Sequence, residues 1–122
     1  MIELCRINGD FNVCKITDVS QVDFTQGFVF LSKTLDEISL VCEAKYMPPN
    51  MISYEPGWRM LKIKGTLDFG LVGIVAKITG ILAQASISVF IVSTYNTDYI
   101  LLKHENFAKG IEALERNGYI VD

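Results

Sequence analysis

The sequence is poor in the side chains that metal and nucleophilic chemistry use. In 122 residues it has one histidine, His104, and three cysteines, Cys5, Cys14 and Cys42. A zinc site asks for closely paired cysteines or nearby histidines, so no metal site is expected. An odd number of scattered cysteines fits reduced thiols packed as small apolar groups, not a disulfide framework. Basic residues are not in excess: the net charge is −3 and the pI about 5.1. Nucleic-acid binding needs a cationic face to neutralise phosphates, so it is not expected. No apolar run approaches the roughly 20 residues that span a bilayer. The segment from Met1 to Arg6 has no basic region followed by an apolar core, so no signal peptide is expected. Cytoplasm is the expected location, with no membrane contact.

Half of the residues are hydrophobic against 20% charged, the balance of a packed chain and not a disordered one. This length buries one good core, or two small subdomains sharing one. Proline is scarce, and all three prolines fall between Pro48 and Pro56. Proline denies ladder hydrogen bonds, so the boundary is placed there, dividing the chain into 1–55 and 56–122.

The second part parses as alternating elements. Leu61, Ile63 and Leu67 alternate with Lys62 and Lys64, giving a strand near 59–67. Leu71, Ile74, Val75, Ile78, Ile81, Leu82 and Ala85 recur at helical spacing, with Asp68 as a candidate N-cap. Strands follow at Ile87–Thr94 and Asp98–His104. Asn106 is placed to cap a second helix near 107–117, and Gly118 to end it. Tyr119-Ile120-Val121 is a short last strand. The order βαββαβ is the ferredoxin-like plait, fold class α+β. The first part reads as a degenerate version of the same unit. Phe11–Ile16 is a strand, Val19–Phe24 offers at best a turn or two of helix, and Phe28–Lys33 and Ile38–Ala44 form a hairpin across Thr34–Glu37.

Two features ask for a partner. The strand from Ile87 does not alternate apolar with polar: Ile87, Val89 and Ile91 form one face, and Phe90, Val92 and Thr94 the other. That much apolar surface needs cover, from the rest of the chain, from a second subunit, or from both. The first helix presents Gly73, Ala76, Gly80 and Ala83 opposite its apolar stripe. Each internal glycine costs about 1 kcal/mol relative to alanine, so the smooth face is either an interface or an indifferent surface. The turn Asp68-Phe69-Gly70-Leu71 carries the candidate chemistry. The first N–H groups of a helix are unpaired and attract a carboxylate, Gly70 keeps the approach open, and Asp68, if it does not simply cap the helix, can take an ammonium group. An anion site beside a cation site describes an α-amino acid.

Four stretches carry a family resemblance: Thr34–Cys42, Gly57-Trp58-Arg59, Leu67–Gly73 and Ile87–Leu101. Together they resemble the ACT domain, and more narrowly the small tandem ACT-like proteins related to the CASTOR arginine sensors. The resemblance implies the βαββαβ plait and a free amino acid held at an interface between ACT units, with the helix-start loop of one facing the strand of another. Carried onto this chain, the loop residues are Asp68, Phe69, Gly70, Leu71 and Val72, and the strand residues are Ser88, Val89 and Phe90. Phe69 stands where many ACT loops have proline. The arginine sensors contain four such units and this chain has room for two, so homodimerisation is expected, with a separate regulated protein receiving the signal. No catalytic residue and no cofactor is expected. An acylphosphatase-like hydrolase on the same plait needs an arginine in the anion loop, and Gly65–Gly73 has none; Arg59 reads as a surface or linker contact. The alternative function is a ligand-free interaction or assembly module with the ACT fold.

Overall fold

A computed structural model describes residues 2–65 and 72–122. The strands are β1 (Glu3–Ile16), β2 (Val29–Lys33), β3 (Ile38–Glu43), β4 (Met51–Ile63), β5 (Val89–Ser93), β6 (Asp98–Lys103) and β7 (Ile120–Val121). The helices are α1 (Ile74–Gln84) and α2 (Phe107–Arg116), and single 3-10 turns follow β3 and β6. Two compact units result: 1–8 with 59–122, and 9–58. The sequence reading divides the chain at 55/56 and leaves the first eight residues with the other part.

In the larger unit the strands run in the order β7-β1-β4-β6-β5. The N-terminal segment of β1 lies between the first and last strands of the plait. Its Glu3 carbonyl accepts from Lys64 N–H at 2.9 Å, and Glu3 and Leu4 pair in parallel with Ile120 and Val121. The βαββαβ order is as read from the sequence. Both helices pack on one face of the sheet over a core that includes Leu4, Leu61, Ile63, Ile78, Leu82, Ile100, Leu102 and Leu114. Val89 and Ile91 pack against that core, and Ile87 belongs to it. On the opposite sheet face, Met60 and Leu101 are fully buried.

Both helices end in the same motif. Beyond α2, Gly118 takes φ +90°; its N–H reaches Glu115 O at 3.1 Å and Tyr119 N–H reaches Leu114 O at 3.1 Å. These two bonds satisfy carbonyls the last turn would orphan. After α1 the same pair runs from Ser86 to Ala83 and from Ile87 to Leu82, each 3.0 Å, with Ser86 at φ 61°. The N-termini depart from expectation. The N-cap of α1 is Gly73, with φ 81° and no side-chain cap, so the helix begins three residues later than its apolar spacing implies. Asp68, the expected cap, lies outside the described residues. Asn106 does hold it for α2, but makes no side-chain cap bond. The preceding 3-10 turn feeds directly into the helix, with Phe107 N–H donating to His104 O.

The smaller unit has strand order β2-β3-β1-β4. Its hairpin reproduces that of the larger unit sixty residues earlier: Val29 pairs with Cys42 and Lys33 with Ile38, as Val89 pairs with Leu102 and Ser93 with Asp98. The turns agree, with Thr34 N–H to Glu37 O and Thr94 N–H to Thr97 O both at 2.9 Å. This repetition supports the reading of a degenerate second plait. The difference is that the smaller unit has no α-helix. Between β1 and β2, Asp18 accepts from Ser20 N–H and Asp23 from Thr25 N–H, each at 2.9 Å, and each also accepts from the same residue's hydroxyl. Those bonds hold both carboxyls below the usual carboxylate range. Side chains that bond local backbone compete with helix, so the expected turns of helix at Val19–Phe24 do not form. Pro56 does not break the chain as expected, because β4 runs through it. Within this unit β4 is the outer strand, where a proline is tolerated.

The core of the smaller unit gathers Cys14, Ile16, Leu40 and Cys42, with Met47 and Met51 against it. The thiols of Cys14 and Cys42 hydrogen-bond each other. That bond lowers the Cys14 pKa, and it raises that of Cys42 together with burial. All three cysteines are free thiols.

One buried polar contact fastens the hairpin of the larger unit. Thr97 is 2% exposed, and its hydroxyl donates to the Ile63 carbonyl at 2.8 Å. Thr97→Val removes the donor and leaves a buried acceptor unpaired, so a stability loss of about 1–3 kcal/mol is expected. Chemical denaturation measures it, and an unchanged midpoint would remove this bond from the account of the fold.

Candidate functional site

The start of α1 opens onto a cavity of about 500 Å³ in the larger unit, within the range of small-molecule sites. Val72, Gly73, Ile74 and Lys77 line it from the helix side; Ile2, Asn117, Gly118 and Tyr119 line it from the other. Gly73 is at φ 81°, a backbone setting glycine adopts without a Cβ penalty, and this turns the chain abruptly into the helix. The first intrahelical bond runs from Lys77 N–H to Gly73 O at 3.0 Å. By helix geometry the N–H groups of Ile74, Val75 and Ala76 have no partner within the helix, and the N-cap residue, being a glycine, has no side chain to cap them. Lys77 adds a positive charge one turn on. The arrangement favours an anionic group at the helix start.

Of the expected loop residues, Asp68, Phe69, Gly70 and Leu71 lie outside the described residues. Val72 is 93% exposed at the rim of the cavity. The strand residues stand elsewhere: Ser88 is exposed just before β5, and Val89 and Phe90 are half-buried on it. β5 is the edge strand of its unit, so part of its backbone faces outward. The residues lining the α1 cavity do not include these three. Lys77, Asn117 and Tyr119 were not anticipated from the sequence. Lys77 had a visible signal, one helical turn beyond a glycine; Ile2 and Tyr119 arrive from the two ends of the chain. The smooth stripe of Gly73, Ala76, Gly80 and Ala83 is exposed, and a Cβ built on Gly80 meets nothing within 4 Å. Among the described residues no group of three or more His, Cys, Asp or Glu side chains could hold a metal ion. No described helix is long and apolar enough to cross a membrane.

The plait, with paired helices on one face, is the ACT-like form of the ferredoxin-like fold. The ACT domain family pattern matches residues 53–116, more than half of the chain, and the chain belongs to that family. Among curated proteins it is similar to the human cytosolic arginine sensor for mTORC1 subunit 1, at 45% identity over 60 residues. The mouse counterpart is 42% identical over the same length. The match takes in 48% of this chain and 18% of the human sensor, so the chain spans less than a fifth of that relative. Among solved structures, a protein of Agobacterium tumefaciens superposes with a TM-score of 0.87 at 28% identity, covering 99% of this chain and 92% of that one. The regulatory subunit of aspartate kinase from Thermus thermophilus shares the fold at a TM-score of 0.63 and 8% identity, over 93% of this chain and 95% of that one.

Proposed function

We propose that the chain is a regulatory, non-catalytic protein that binds a free amino acid, held between ACT units. The observation that carries this reading is the coincidence of the ACT match over 53–116 with a helix start whose N-cap is a glycine and which opens onto a cavity beside Lys77. The named similarity to an arginine sensor supports the ligand class.

In this reading the carboxylate of the ligand sits at the α1 start, and Asp68, Phe69, Gly70, Leu71 and Val72 form the loop around it. The outward backbone of Ser88, Val89 and Phe90, on the β5 edge of a neighbouring unit, receives the rest of the amino acid head. A second copy of the chain supplies that neighbour, and a separate regulated protein reads the outcome. The expected location is the cytosol.

A thermal-shift screen of the proteinogenic amino acids tests the proposal. A ligand present at a hundredfold its Kd stabilises by about 2.7 kcal/mol, which moves the Tm by several degrees in a chain of this size. Lys77→Glu, which reverses the charge at the cavity, is expected to remove most of that shift while leaving the ligand-free melting point nearly unchanged. Flat melting curves at millimolar amino acid would defeat the reading and favour a module that only assembles.

A further inference from the structure

A second cavity in the larger unit, about 380 Å³, is lined by Arg6 and Arg59. Arg6 comes from β1 and Arg59 from β4, and the side of α2 closes the space with Phe107, Ile111, Glu112 and Glu115. The Arg59 guanidinium lies 4.4 Å from the centroid of the Phe107 ring. Its Nε is buried and has no hydrogen-bond partner among the described residues. Arg6 Nη1 donates to the Val121 carbonyl, at 3.4 Å. Glu112, on the cavity wall, is paired with Arg116 at 3.1 Å. Two guanidinium groups thus share one cavity wall, and neither has a carboxylate partner among the described residues.

Such a pairing is unusual unless something else meets it. A buried donor left unpaired is unfavourable, and stacking on an aromatic ring holds the planar fork of Arg59 in place without satisfying its N–H groups. A planar oxyanion between two guanidinium groups supplies the missing acceptors, in paired, charge-assisted bonds. The remaining lining decides which oxyanion. Phe107 and Ile111 offer an apolar floor, which suits a ligand with an aromatic or aliphatic body. Glu112 and Glu115 place negative charge on the same wall, which disfavours a multiply charged phosphate and tolerates a single carboxylate. The volume suits one small molecule.

We propose that this cleft is a binding site for small carboxylates with an apolar body, formed within one unit and separate from the cavity at the α1 start. Arg59 grips the carboxylate, Arg6 completes the grip from β1, and the body lies over Phe107 and Ile111. The site draws on no second copy, so it stands or falls apart from the interface reading above.

The test is a titration of the uniformly ¹⁵N-labelled protein, following the Arg59 Nε–H resonance and, in the variants as well, the backbone amides of Phe107 and Ile111, with benzoate as probe and benzamide as its neutral match. Benzoate is expected to give saturable shifts of these resonances and benzamide none. Arg59→Lys keeps the charge and loses the planar fork, and is expected to weaken benzoate about tenfold or more. Arg6→Gln, at an exposed position that should not disturb folding, is expected to weaken it by about threefold or more. Equal responses to benzoate and benzamide would overturn the proposal. So would tighter binding of inorganic phosphate than of benzoate, or benzoate shifts that survive both substitutions.

Discussion

Truncation of Leu102 to alanine is expected to lower stability by about 2–5 kcal/mol, the range for emptying a fully buried leucine site. Leu102 is wholly inaccessible to solvent and belongs to the cluster that joins both helices to the sheet. It sits on β6, paired with Val89 of β5, and one of its methyl groups faces the backbone of α2. Relaxation into the vacated space is limited because its neighbours are held by the ladder and by two helices that end in closed motifs. Urea denaturation at constant slope measures the loss. A loss under about 1 kcal/mol would mean that the α2–sheet contact is looser than described.

The same contact gives the second large effect, with the opposite change in volume. Gly110 lies within α2 and is buried. A Cβ at this position comes 2.7 Å from Leu102 Cδ1, 3.4 Å from Leu82 Cδ2 and 3.7 Å from Ile87 Cδ1. Here glycine is required by close approach and not by backbone angle. Gly110→Val is expected to destabilise by about 1–3 kcal/mol through overpacking, despite the better helix propensity of valine. The two substitutions should also offset one another. Leu102→Ala vacates the space that the larger side chain on α2 needs, so the double variant is expected to be more stable than the sum of the single losses by about 1 kcal/mol or more. Simple additivity would show that Gly110 and Leu102 do not share a packing site.

What could be read in advance follows from how local the cause is. The β5–β6 hairpin alternates apolar residues around a compact turn, and it forms over almost the stretch its pattern implies. The β2–β3 hairpin does the same, and its register repeats that of β5–β6. The C-terminus of α2 was legible because Gly118 stands where a left-handed residue closes the helix. The start of α1 was not, because Leu71 and Val72 continue the apolar spacing while Gly73 turns the backbone. The first half of β1 was also missed. Asn8, Gly9 and Asp10 are poor strand formers, and the partners that make the segment a strand, in β4 and β7, lie more than forty residues away. Long-range pairing overrode local propensity there.

The sites divide in the same way. The helix-start loop carries a local signal in the sequence, an acidic residue and a glycine ahead of an apolar helix; of its five residues only Val72 is among those described, and it borders a cavity. The paired arginines had no such signal. Arg6 and Arg59 belong to different strands, and only the fold makes them neighbours of Phe107.

The insertion of residues 3–8 beside the last strand bears on where the second plait can be cut out of the chain. Residues 53–116, which carry the family match, contain neither Ile120 and Val121 nor the segment against which those two are laid. A fragment limited to that stretch would leave the side of β4 that faces β1 without its ladder partner, an exposed sheet border open to self-association.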